Sequence, residues 1–204
     1  MKKSTIKKIL LWIGLIIVLL VSTFIVWKFG YNKDKVITKN DSQKFADEYQ
    51  MTNDNIYKYR SSQEIIKILE SGTGVVYLGF PECRWCKSYV TLLNDIAKSS
   101  NIKNIYYLNI LQDRKNNTKD YQRIVELLSK ELRHDEEGNP RVYVPEVIIV
   151  KDGKIVGHDN ETCVVTKEDG TPLEYWTEEK KNALKKKLTS YFKEINENTC
   201  TTCN

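Results

Sequence analysis

The sequence predicts an α/β domain carried behind a single membrane-spanning helix. Three observations lead there. Apolar, β-branched runs at Val75-Val76-Tyr77-Leu78-Gly79-Phe80, 105–110 and 144–150 alternate with segments whose apolar residues recur every three or four positions. Asp152-Gly153 between two apolar runs is a strong hairpin signal. Ile9 to Trp27 hold no charge and are almost wholly apolar. With 204 residues, 41% hydrophobic and 29% charged, there is room for one globular domain plus accessory segments, and no second large core is expected. The net charge of +5 is spread through both termini and the last helical segment. Basic residues do not gather with aromatics on one face, so no nucleic-acid partner is expected.

At about 1.5 Å per helical residue, Ile9 to Trp27 reach roughly the thickness of a bilayer's hydrocarbon core, with Trp12 and Trp27 near the ends. The rival reading is a cleaved signal peptide. The apolar region exceeds the usual h-region and Val21-Ser22-Thr23 is a poor cleavage site, so an uncleaved anchor is preferred. Lys2, Lys3, Lys7 and Lys8 before the span are matched by Lys28, Lys33, Lys35 and Lys39 after it, and charge alone does not orient it. The very short leading tail and five cysteines favour a cytoplasmic N-terminus and an extracytoplasmic domain. The expected organisation is a cytoplasmic tail at 1–8, an anchor at 9–29 in the lipid bilayer, a polar stalk at 30–53 with a short helix at Ser42 to Tyr49, a domain at 54–196 and a cysteine-bearing tail at 197–204.

Within the domain, 55–59 reads as a short strand. Ser61-Ser62-Gln63-Glu64 offers a capping box to a helix with Ile65, Ile66, Ile68 and Leu69 on one face, ended by Gly72-Thr73-Gly74. The strand at Val75 to Phe80 leads into a helix running to about Ser99, and a strand follows at 105–110. A polar loop at 112–117 precedes a helix with Tyr121, Ile124, Val125, Leu128 and Leu132 in period, then an exposed loop at 133–143. The hairpin of 144–150 and 154–157 is followed by an irregular loop from His158 to Tyr175. The last helix, 177–196, shows Leu184, Leu188, Tyr191, Phe192 and Ile195 on one face.

The chemistry-bearing stretch is Phe80-Pro81-Glu82-Cys83-Arg84-Trp85-Cys86-Lys87, where an apolar run ends and a helical pattern begins. Cys83 is expected at a helix N-terminus. There unpaired backbone N–H groups and the positive end of the helix dipole favour a thiolate, the form that attacks disulfides. Cys86, one turn on, can close a small disulfide with it and reopen it. Arg84 acts to lower the Cys83 pKa and Glu82 to raise it, so their net sign is not set by the sequence. A structural disulfide or half of a zinc site are the plainer alternatives for the pair.

The element order and the C-x-x-C motif, with Val144-Pro145 opening a hairpin strand some sixty residues later, resemble the thioredoxin family over roughly 55–196. The resemblance implies a thioredoxin-like fold, a central mixed β-sheet flanked by helices. It also implies a cis peptide before Pro145 lying against the cysteines, Cys83 as nucleophile and Cys86 as resolving thiol. Val144 and Pro145 would meet an extended substrate segment, with Trp85 as an apolar rim, and no metal or organic cofactor would be needed. The local wording, Tyr77-Leu78-Gly79-Phe80-Pro81-Glu82-Cys83 on to Cys86, is similar to the bacteriocin-transport accessory group of thioredoxin-like proteins. That implies an oxidoreductase serving cysteine-containing secreted proteins or peptides, with a membrane redox partner. The rival is a non-catalytic accessory module that binds a secretion substrate. Two departures stand out: Arg84-Trp85 replaces the family's Gly-Pro dipeptide, and Tyr77 replaces its buried aspartate.

Cys163, Cys200 and Cys203 admit three readings: a bridge from the Cys163 loop to the tail, a second redox pair in the tail, or a zinc site joining both C-x-x-C pairs. The first is preferred. His134 and His158 are isolated among polar residues and are expected on the solvated surface. Lys185-Lys186-Lys187 is expected to be a solvated helix face, open to anionic lipid headgroups.

Overall fold

The structure is a computed structural model and describes residues 40–164 and 170–196, without the side chains of 163 and 164. The tail at 1–8, the anchor at 9–29, the first part of the stalk, and the C-terminal tail with Cys200 and Cys203 lie outside the described residues, as does the Cys163 side chain. No helix among the described residues is long and apolar enough to cross a membrane.

The alternation read from the sequence produces an α/β architecture. Its mixed five-stranded sheet comprises β1 (Tyr57–Tyr59), β2 (Gly74–Gly79), β3 (Ile105–Asn109), β6 (Glu146–Lys151) and β7 (Lys154–Asp159), in the order β1-β3-β2-β6-β7. β1, β3 and β2 run parallel, while β6 is antiparallel to both β2 and β7. Period-two alternation sorts the strand residues onto two faces. Tyr57, Val75, Tyr77, Ile105, Tyr107, Val147 and Ile149 pack on one side against α1 (Asp41–Tyr49), α3 (Arg84–Ser99) and α7 (Glu178–Asn196). Val76, Leu78, Leu108, Ile148 and Val150 pack on the other against α2 (Ser62–Ser71) and α5 (Lys119–Leu127).

Local signals place most of the boundaries. Ser61 and Glu64 form the expected capping box of α2. In the hairpin turn Asp152 and Gly153 both have positive φ, at 51° and 72°. This is the pairing that suits a two-residue turn between twisted strands, and a Cβ on Gly153 would lie 2.2 Å from the Glu70 carbonyl oxygen.

Four expectations change. The helix expected within the polar stalk forms at Asp41–Tyr49 but belongs to the core: Phe45, Ala46 and Tyr49 are buried, and Phe45 stacks on Tyr57 with centroids 3.8 Å apart. The loop expected at 112–117 is instead mostly helical, α4 (Leu111–Asn116). The exposed loop at 133–143 contains a small antiparallel pair, β4 (Arg133–His134) and β5 (Pro140–Arg141), and buries Val142. The irregular stretch from His158 is strand through Asp159, followed by a 3₁₀ turn at Glu161–Val164 and α6 (Pro172–Tyr175).

Candidate active site

β2 delivers the chain to the end of the sheet, where the Cys83 N–H donates to the Phe80 carbonyl at 3.2 Å and turns it into α3. Cys83 is the N-cap, with extended backbone (φ −78°, ψ 116°), and its carbonyl accepts the first helical bond, from Lys87 N–H at 3.1 Å. The Cys83 sulfur stands where a serine or aspartate oxygen would cap a helix, 3.1 Å from the Cys86 N–H that donates to it. No acidic side chain occupies the first turn of α3 to oppose an anion there.

Cys83 and Cys86 are both free thiols in different surroundings: Cys83 is half-buried and Cys86 is fully buried. The Cys83 thiol is held below its ordinary pKa, first by the hydrogen bond from the Cys86 side chain. The backbone N–H groups of Cys86 and Trp85 and the charge of Arg114 add to this, and burial works against it. Burial pushes the Cys86 thiol far up, with the adjacent Cys83 adding to the effect. The two thiols therefore differ in how readily they ionise, Cys83 being drawn toward its anion and Cys86 held in its protonated form.

Facing Cys83 across the site is the segment Val144-Pro145, which lies just before the first residue of β6 and does not open the strand as the sequence suggests. Its Val144–Pro145 peptide is cis, and the Cys83 thiol points at the Val144 carbonyl at 3.9 Å. Pro145 is buried and Val144 half-buried beside the sulfur. Trp85 is also half-buried: its ring meets Tyr175 edge-on with centroids 5.3 Å apart, and Tyr175 in turn packs on Trp176. It thus forms part of a small aromatic wall along α3 and α6. Behind that wall Trp176 Nε1 donates to Ser88 Oγ at 3.2 Å.

Glu82 and Arg84 are exposed on either side of Cys83. The side-chain charge that bears most on its thiol is that of Arg114. Arg114 is a site residue that the sequence reading missed. It sits on α4, donates to the Val142 carbonyl at 3.2 Å, and lies over the Phe80 ring with its guanidinium 5.2 Å from the centroid. No local motif marks it, because contact between 114 and 80–83 exists only once β2 and β3 pair.

A polar network on β6 and β7 was also missed. Glu146, directly after Pro145, is fully buried and bonded to His158, with Asn160 donating to it at 3.3 Å. His158 is therefore not the isolated surface histidine expected, whereas His134 is exposed as expected. On the other face Asp159 is buried and accepts from Tyr89 Oη and Lys187 Nζ, each at 2.6 Å. Lys187 thus leaves the solvated run it was assigned to. Beside α3 runs a cavity of about 540 Å³ bordered by Arg84, Lys87, Leu92, Leu173 and Trp176, and Leu173 is 90% exposed. Among the described residues no group of three or more His, Cys, Asp or Glu side chains is placed to hold a metal ion. Comparison of the chain with protein-family models, with curated proteins and with solved structures finds no match.

Proposed function

We propose that the chain is a thiol–disulfide oxidoreductase with a thioredoxin-like fold, acting on cysteines of secreted proteins or peptides. The observation that carries this reading is the paired environment of the two sulfurs. Cys83 caps α3 with its thiol pulled toward ionisation, and Cys86 is one turn away, buried and kept protonated. In the reducing direction the Cys83 thiolate attacks one sulfur of a substrate disulfide. A Cys83–substrate disulfide forms and the other substrate sulfur leaves as a thiolate that takes up a proton. Cys86 then loses its proton, attacks Cys83 Sγ and releases the second substrate sulfur. The electron pair passes from the two cysteines to the substrate, and a membrane redox partner returns it; the oxidising direction is the reverse.

The half-buried Val144 carbonyl and the Trp85–Tyr175 wall support a place for an extended substrate segment beside Cys83. The charge-free run at 9–27 supports anchoring with the domain outside the cytoplasm. The likeness of 77–86 to bacteriocin-transport accessory proteins supports a secreted peptide among the substrates. The test is insulin reduction and oxidation of a reduced protein by the full chain, compared with Cys83→Ala. Loss of both activities in the variant is the expected result. Equal activity in the two chains overturns the reading in favour of a non-catalytic binding module.

A further inference from the structure

The buried hydroxyl of Tyr77 has no hydrogen-bond partner, although its neighbours are satisfied. In the same aromatic cluster Tyr57 donates to the Val90 carbonyl at 2.8 Å, Tyr89 to Asp159 at 2.6 Å, and Tyr49 to Tyr107 at 3.2 Å. Tyr77 is 0% exposed, and its ring is fixed between Tyr107 and Tyr89, stacked at 5.8 and 6.5 Å. A buried hydroxyl left unpaired is destabilising and needs a reason.

Its position supplies one. A Cβ on Gly79 would lie 2.5 Å from the Tyr77 oxygen, so the absence of a side chain there keeps room for the hydroxyl at the end of β2. One residue further on, Phe80 holds the turn that carries the cysteines. Cys86, 0% exposed, belongs to the same cluster. After burial, Cys86 is the strongest influence on Tyr77, through its charge and a close side-chain contact, and Tyr77 in turn opposes the upward push on the Cys86 thiol, although no hydrogen bond of ordinary geometry joins them.

We propose that the Tyr77 hydroxyl is a hydrogen-bond donor reserved for the Cys86 thiolate, which exists only while the mixed disulfide is being resolved. A thiol is a weak acceptor, so at rest the Tyr77 hydroxyl makes only a weak contact with Cys86 and no hydrogen bond of ordinary geometry. When Cys86 gives up its proton to attack Cys83 Sγ, the buried anion becomes a strong acceptor with the donor already in place. The bond is far stronger in the transition state than in the ground state, which is the condition for acceleration. Tyr77 keeps its own proton throughout. The proton lost by Cys86 is matched by the one taken up by the departing substrate thiolate. This role rests on the oxidoreductase reading above.

The test follows single-turnover release of thionitrobenzoate from 5,5′-dithiobis(2-nitrobenzoate) by the reduced full chain, with Cys163, Cys200 and Cys203 changed to Ser in every variant. The first release reports attack by Cys83, and the second reports resolution by Cys86. Tyr77→Phe is expected to leave the first phase unchanged and to slow the second about tenfold, the scale of one hydrogen bond to a charged group. The pH dependence of the second phase should move upward. Tyr107→Phe, which removes a hydroxyl from the same stack, should slow neither. An unchanged second phase in Tyr77→Phe overturns the proposal, as does equal slowing of both phases or the same effect from Tyr107→Phe. If Tyr77→Phe does not fold, Gly79→Ala takes its place, because the added methyl displaces the hydroxyl. A normal second phase in that variant overturns the proposal equally. Failure of the underlying reading looks different: Cys83→Ser would then retain the fast first release.

Discussion

Replacing Cys86 by Ala and by Ser should give proteins that are equally unable to resolve a mixed disulfide yet different in the ionisation of Cys83. The largest effect drawing the Cys83 thiol toward its anion is the hydrogen bond from the Cys86 side chain, ahead of the Cys86 and Trp85 backbone N–H groups and the Arg114 charge. Ala deletes that donor, whereas Ser replaces it with a hydroxyl. A hydrogen bond to an ionised group contributes about 1.5–3 kcal/mol. The half-burial of Cys83 exposes the anion to competing water and argues for the lower end. At a fixed pH below the titration midpoint, Cys86→Ala should therefore hold about tenfold less thiolate than the wild type, and Cys86→Ser should stay close to it.

Ultraviolet thiolate absorbance against pH measures this directly, with iodoacetamide alkylation as a second readout. The same depressed ionisation makes the unfolded chain bind more protons than the folded one between the folded value and the ordinary thiol value of about 8.5. Reduced wild type should gain stability as pH rises through that window, and lose it as pH falls through the folded value. Cys86→Ala should show a flatter profile. Identical titrations of the Ala and Ser variants, or a lower midpoint in Ala, would refute the assignment of the Cys86 side chain as the leading donor.

Two further predictions concern groups that hold the site in place. Phe45→Ala empties a fully buried ring site between Tyr49, Tyr57 and Tyr107, and should cost about 3–5 kcal/mol in denaturant unfolding. A loss under about 1 kcal/mol would mean that α1 is dispensable to the core. Lys187→Met leaves the buried Asp159 carboxylate with only the Tyr89 hydroxyl, and should cost about 2 kcal/mol, because the outer part of Lys187 is solvated. Adding Asp159→Asn should recover most of that loss, and strict additivity of the two changes would refute the pairing. Burial pulls the Lys187 pKa down, but the Asp159 hydrogen bond and charge more than offset it, so the net shift is upward. The stabilisation from Lys187 is therefore complete below about pH 10.4 and is lost as pH rises through the folded value.

What the sequence revealed and what it concealed divide by the range of the interactions involved. The Ser61–Glu64 capping box, the Asp152-Gly153 turn and the position of Cys83 at the head of α3 depend on residues within four of one another, and each forms where the spacing predicts. The segment at 41–49 reads as stalk because its mean polarity is high. Three residues on one face, Phe45, Ala46 and Tyr49, suffice to dock it, and they acquire meaning only beside Tyr57 and Tyr107, which arrive from β1 and β3. His158 and Lys187 likewise look solvated in a sequence that does not show Glu146 and Asp159 turning inward.

The same division runs through the site. The motif places two sulfurs one turn apart and itself supplies the Cys86 side chain and the backbone N–H groups that draw Cys83 toward its anion, but the burial that holds Cys86 protonated and the Arg114 charge from α4 are assembled from elsewhere. Exposed Arg84 and Glu82, the natural candidates for tuning when only neighbours in sequence are visible, sit where water screens them. Groups that approach through the packed side of the domain act in a poorer dielectric, where the same charge or dipole counts for more. The potential of the Cys83–Cys86 pair should therefore respond more to Arg114→Gln than to Arg84→Gln. Its direction follows from the thiolate that Arg114 stabilises: removing that charge disfavours the reduced form, makes the pair less oxidising, and moves its potential away from the roughly −120 mV of a strong disulfide donor toward the roughly −270 mV of a reductase. Titration against a glutathione series measures both variants, and a larger shift from Arg84→Gln would return the tuning to the motif itself.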